Sequence, residues 1–210
     1  MAIIKPPQPD EAARRDRLAA RDCISLMRQL SDANPTVRRW AARDLGACPD
    51  AAGALVAQLM GEPDASVREI IFSTLSCLGN ADAVAGLVQC LRSDFAALRN
   101  EAIEGMKRMP DQVGPIMHGL LIDPDADVRI FAVNVLESLC HPDVETWLIT
   151  VIENDLEVNV CATAVDLLGE VGSDASRGAL MGLKSRFSQE PYIQFATDLA
   201  LKRLAPGPLP

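Results

Sequence analysis

The chain has 210 residues, 49% of them apolar but only 4% aromatic, and a formal net charge of −9. A core rich in small aliphatic side chains suits packed helices better than a β-sandwich. An acidic body lacks the general basic surface with which nucleic-acid binders displace counterions, so nucleic acid is excluded as a general partner.

Met1 to Asp10 carry Pro6, Pro7 and Pro9 and no apolar stretch of signal-peptide type, so 1–10 is expected to be a disordered tail rather than a secretory leader. No apolar run approaches the ~20 residues of a membrane span, which points to a cytoplasmic chain without a membrane partner. Residues 1–45 hold nine Lys/Arg against six Asp/Glu, so this end is basic while the rest is acidic. A first helix is predicted from about Glu11 to Leu30. The six cysteines, Cys23, Cys48, Cys77, Cys90, Cys140 and Cys161, form no C-x-x-C pair. In a cytosolic chain they read as reduced, mostly small core fillers.

From residue 34 onward a phrase recurs: Asn/Asp-x-x-Val-Arg, then small and apolar residues, then Leu. It stands at Asn34–Arg38, Asp64–Arg68 and Asp125–Arg129, with looser copies at Asp94–Arg99 and Asp155–Asn159. The anchors Val37, Val67, Leu98, Val128 and Val158 are 30, 31, 30 and 30 residues apart. A fixed period of this length marks a stacked repeat. The Asn or Asp is placed to cap a helix, B, whose apolar residues follow at helical spacing, as in Val67, Ile70, Ile71, Leu75 and Leu78. Gly46, Gly79 and Gly169 read as C-caps of B helices. Asp50, Asp82, Asp111, Asp143 and Asp174 read as N-caps of the next helix, A, which runs apolar in turn (Val84, Leu87, Val88, Leu91). A sixth pair is degenerate, Ser173–Arg186 then Pro191–Leu204, with Tyr192-Ile193-Gln194 where Val-Arg would stand; terminal repeats are expected to be atypical. Residues 205–210 read as a second disordered tail. The prediction is an all-α fold: a solenoid of about five to six helix pairs over 11–204.

The phrases Val37-Arg38-Arg39-Trp40-Ala41-Ala42-Arg43-Asp44-Leu45-Gly46 and Val158 through Gly172 resemble the HEAT-like repeat, the short bacterial variety first associated with phycobilisome lyases. The resemblance implies a right-handed α-solenoid, an α-α superhelix with B helices along the concave side. It also implies a ladder in which Arg38, Asp64, Arg68, Arg99, Asp125 and Arg129 bond between neighbouring repeats, weakening at Asn159.

Enzymes on this scaffold offer three comparisons. Deoxyhypusine hydroxylase holds two irons through His-Glu pairs; here His118 precedes Gly119 and His141 precedes Pro142, so a di-iron site is excluded and no metal or other cofactor is expected. HEAT-like glycosylases need a basic face, which an acidic body does not provide. Phycobilin lyases work as paired subunits that guide a tetrapyrrole onto another protein, and a lyase-type or chaperone-like subunit is the alternative reading. Phosphate loops and nucleophile elbows are lacking, and Cys140-His141 reads as a core thiol beside a surface histidine. No catalytic residue is assigned.

What remains is the B-helix face that the core does not use. Counting from the anchors gives Arg39 and Arg43, Glu69 and Ser73, Asn100 and Glu104, Ile130 and Asn134, with Trp40 and Phe131 one position further round. A mixed groove with an aromatic at each end suits a peptide or helix of a partner protein. The sequence thus predicts a non-catalytic interaction scaffold; its oligomeric state is open.

Overall fold

The computed structural model describes residues 22–204. The expected tails at 1–10 and 205–210, and the part of the first helix before residue 22, lie outside the described residues. Within them there are twelve α-helices, three short 3₁₀ turns and no strand. The helices are α1 (Cys23–Gln29), α2 (Pro35–Asp44), α3 (Ala52–Leu59), α4 (Ala65–Leu78), α5 (Ala81–Leu91), α6 (Ala96–Met106), α7 (Pro110–Leu121), α8 (Ala126–Leu136), α9 (Val144–Asn154), α10 (Val158–Val171), α11 (Arg177–Arg186) and α12 (Pro191–Arg203). Odd-numbered helices are the A members and even-numbered helices the B members of six pairs. The chain divides into two compact units, Met1–Gly86 and Leu87–Pro210, the division falling within α5.

The first five pairs turn on the same A–B corner. Asn34, Asp64 and Asp125 open α2, α4 and α8 from nearly one backbone conformation, φ/ψ of −85/115, −84/117 and −85/118. Their side chains accept the N–H of the residue two further on, satisfying a donor the helix leaves free. Two residues before the cap stands Asp32, Glu62, Ser93, Asp123 or Asp155, whose side chain accepts the N–H of the cap residue itself. That corner residue also lends its carbonyl to the arginine of the first helical turn: Arg38 donates to Asp32 O, Arg68 to Glu62 O, Arg99 to Ser93 O and Arg129 to Asp123 O. The recurring phrase is therefore a self-tying turn, in which one side chain caps the helix and another holds the loop against it.

In the fifth pair the structure corrects the register. The corner residue is Asp155, 32 residues after Asp123, and the cap position falls on Glu157. Val160 fills the core and Cys161 takes the arginine's place, its thiol on Asp155 O, whereas Val158 is only half-buried and Asn159 is exposed. Two added residues look like an unchanged period when an Asp and a Val happen to recur three apart.

The A-helix starts are also corrected. Asn80, not Asp82, caps α5 by accepting the N–H of Ala83. Asp111 lies in the first turn of α7, and Asp50 and Asp174 lie in 3₁₀ turns, the second of which is capped by Ser173. Asp143 occupies the cap position of α9 but makes no capping bond. Gly79 ends α4 in the left-handed region at φ 54, where a Cβ is disfavoured. Gly46 instead lies in a 3₁₀ turn, and Gly169 is buried inside α10.

Each unit has its own aliphatic core. Leu55, Leu59, Ile71 and Leu75 are fully buried in the first, and Met106, Met117, Leu136, Leu148 and Ile152 in the second. Each such side chain contributes roughly 1.5–3 kcal/mol on burial. In the first unit α5 closes on α3 at Gly86, where an added Cβ would overlap Val56. The same unit holds a disulfide, Cys23–Cys48, with Cα atoms 5.9 Å apart. This overturns the reading of these two cysteines as reduced: the start of α1 and the link after α2 meet across the first pair. Cys90 and Cys161 are buried and free, and Cys77 and Cys140 are exposed.

Candidate interaction surface

The predicted ladder residues fall into distinct roles. Asp64 and Asp125 cap helices within their own repeats. Arg38 reaches the next corner, donating through Nε and Nη2 to Glu62 at 2.8 and 2.6 Å. Glu62 is buried and also accepts from Gln58 and from the Asp64 N–H. Burial works to raise its pKa, but these hydrogen bonds outweigh it and hold the carboxyl below its ordinary value. Arg129 makes the equivalent fork to Asp155, at 2.7 and 3.1 Å. At Asp123 the fork comes instead from Arg92 at the end of α5. Arg99 lies with its guanidinium 5.4 Å from the Phe131 ring centroid.

The unused B-helix face can be followed by counting five and nine residues from each cap. In the first unit it carries Arg39 and Arg43 on α2 and Glu69 and Ser73 on α4, all exposed. Trp40 is 36% exposed, and Arg43 covers its ring at 4.2 Å while bonding Asp44. A guanidinium over a half-open indole is a cation–π pair at a solvent-facing site. In the second unit the same count gives exposed Asn100 and Glu104 on α6, then Ile130 and Asn134 on α8, which with Phe131 are half-buried.

Continued to α12, the count reaches residues that sequence reasoning missed. Phe195 is 66% exposed and Leu199 39%, and Tyr192, one turn earlier, is 52% exposed. The signal was available: once Glu190 is recognised as the cap position, Phe195 and Leu199 fall five and nine residues beyond it. The Tyr192 hydroxyl donates to Asp166 on α10 at 2.7 Å, which ties the α12 ridge to its neighbour and raises the phenol's pKa. Between α8 and α10 runs a groove of about 240 Å³, flanked by Asn134, Glu137, Thr163, Asp166 and Glu170. Lys107 bridges Glu137 to Glu104, offsetting one of their two charges.

Elsewhere in the second unit a cavity of about 560 Å³ is lined by His118, Ile122, Trp147, Val151 and Leu156. Its apolar walls are bordered by groups already satisfied: Asp123 by Arg92, Asp155 by Arg129, Asn154 by the Thr150 carbonyl. The Cys140-His141 reading is reversed. The thiol is exposed, while the imidazole is partly packed, stacked on Trp147 with centroids 4.6 Å apart. Burial pushes Cys90 up to about 11 and raises Cys161 as well, so neither thiol is an activated nucleophile. Among the described residues no group of His, Cys, Asp and Glu gathers in a way that would hold a metal ion, and no helix is long and apolar enough to cross a membrane.

A family model described as HEAT repeats matches residues 25–107. No curated protein matches the chain. Among solved structures, an archaeal HEAT-like repeats protein from Thermococcus onnurineus NA1 is 14% identical, with 94% of this chain and 95% of that one covered and a TM-score of 0.43. The CpcE–CpcF complex of phycocyanin lyase from Nostoc sp. PCC7120 is 19% identical, with coverage of 97% and 98% and a TM-score of 0.37. Human deoxyhypusine hydroxylase is 15% identical, with coverage of 95% and 92% and a TM-score of 0.45. The match over 25–107, and the same A–B corner recurring at Asp123 and Asp155, make this an all-helical repeat chain similar to HEAT-like repeat proteins.

Proposed function

We propose that the protein is a non-catalytic interaction scaffold that binds a partner protein on the B-helix faces of its units. The observation that carries this reading is the character of the positions the core leaves free. Among charged and polar residues such as Arg39, Glu69 and Glu104, this face exposes Trp40 under Arg43 in one unit and Tyr192, Phe195 and Leu199 in the other. Contiguous exposed apolar and aromatic groups rimmed by charge are the usual mark of a protein contact. The two buried thiols, Cys90 and Cys161, are kept protonated by burial and offer no activated nucleophile.

Site-specific photo-crosslinking in the native cell tests the reading. A photoreactive residue at Arg39 or Phe195 should capture a discrete partner, and one at Thr146, exposed on α9, should not. The double reversal Arg39→Glu/Arg43→Glu should weaken capture in the first unit without lowering the melting temperature. Equal labelling at Thr146, or no capture at either B-face position, would overturn the proposal.

A further inference from the structure

We infer that the B-helix face of the second unit receives an amphipathic basic helix of another protein, its apolar edge on Ile130, Phe195 and Leu199 and its Lys/Arg edge toward Asp166 and Glu170. This rests on the interaction reading above and adds the partner's chemistry. Three observations converge. The apolar members lie five or nine residues from the helix starts: Ile130 on α8, Phe195 and Leu199 on α12, with Tyr192 beside them. The acidic members surround the 240 Å³ groove: Glu137 at the C-terminal end of α8, and Asp166 and Glu170 on α10, the helix between α8 and α12. The Tyr192–Asp166 bond joins the two edges into one surface.

Charge complementarity selects the occupant. Lys107 offsets one of the two charges on Glu104 and Glu137, and Asp166 and Glu170 add two more, so the groove between α8 and α10 is net negative. Arg203 lies beside Gly169, so the partner's cations belong between α8 and α10 rather than over α12. An acidic or wholly apolar segment would leave those carboxylates facing like charge or stripped of water. Neighbouring helices pack about 9 Å apart, so crossing from α8 to α12 takes roughly 18 Å, or about 12–14 helical residues. A segment with one apolar and one cationic edge over that length is an amphipathic basic helix.

The test uses the full chain and a synthetic leucine–lysine helical peptide of about 14 residues, with a leucine–glutamate peptide of the same pattern as control. The lysine peptide should bind, the glutamate peptide should not, and affinity should fall as salt rises. Phe195→Ser/Leu199→Ser should weaken binding about tenfold or more. Asp166→Asn/Glu170→Gln should weaken it and flatten the salt dependence, and both double variants should keep the wild-type melting temperature because the changed side chains are exposed. Unchanged binding by Asp166→Asn/Glu170→Gln would overturn the basic partner while leaving the scaffold reading intact. Unchanged binding by Phe195→Ser/Leu199→Ser would overturn this face. Failure of the lysine peptide to bind would overturn the inference even if crosslinking at Arg39 succeeds. Self-association that is lost in Phe195→Ser/Leu199→Ser would assign the face to a second copy. A peptide of residues 11–21, with Arg14, Arg15, Arg17 and Arg21, that displaces the lysine probe would assign it to the chain's own segment.

Discussion

Glu62 carries more of the first unit's polar order than its place in a loop suggests. One carboxylate receives Arg38 from the preceding B helix, Gln58 from its own A helix and the N–H of the next cap, Asp64. All of these bonds favour the charged form, and together they overcome the burial that opposes it, so the folded pKa lies below the ordinary one. A group of this kind adds stability that is full above the unfolded pKa, about 4.3, and is lost as pH falls through the folded value. Glu62→Gln keeps the shape and removes the charge, mimicking the protonated residue. It should lower the urea midpoint at pH 7, and the gap from wild type should close progressively below about pH 4. A gap still constant at pH 3 would mean that the loss is one of shape and not of ionisation. The recurrence of Arg38 was legible in the sequence. Glu62 was not, because the corner position is filled in turn by Asp, Glu, Ser, Asp and Asp, and only the shared hydrogen bonds reveal it as one position.

The helix pairs were legible because apolar spacing and caps agree along most of the chain, and Asn34, Asp64 and Asp125 were readable as caps from type and position alone. Where the agreement broke, so did the reading. In the fifth pair Asp155 imitates a cap, but the cap is Glu157, with φ −84 and ψ 120 and no side-chain bond to the helix. A glutamate is one methylene too long for the short return bond that Asp64 makes. Glu157→Asp, on a backbone that already matches Asp64 and Asp125, should therefore stabilise the protein by about 0.5–1 kcal/mol. The gain should appear as a higher urea midpoint at unchanged slope. No gain, with Asp125→Ala destabilising as a capping residue should, would show that the α10 terminus is governed by its packing instead. The A-helix starts were harder to read because their caps are heterogeneous, Asn80 and Ser173 among them, and the aspartates nearby sit a residue or two inside the turn.

Two compact units, each with its own core, make the division of the molecule experimentally visible, and the two tryptophans fall one in each: Trp40 in the first, Trp147 in the second. The Cys23–Cys48 disulfide lies wholly in the first. It was invisible to sequence reasoning because the pairing depends on two corners of one repeat folding back on each other, whereas spacing reports only that cysteines of adjacent repeats lie one repeat apart. Closing a loop over a separation of 25 residues removes unfolded-chain entropy worth about 3.5 kcal/mol in the chain-entropy picture. Reduction should therefore destabilise the first unit and leave the core of the second intact. With Trp147→Phe, the Trp40 fluorescence transition in guanidinium should move to lower denaturant on adding dithiothreitol. With Trp40→Phe, the Trp147 transition should move much less. Cys23→Ser should reproduce the first shift and abolish its dependence on reductant. Nearest-neighbour coupling along a repeat array transmits part of any local loss, so the decisive quantity is the difference between the two reporters. Equal shifts at both would mean that the two units unfold as a single cooperative body.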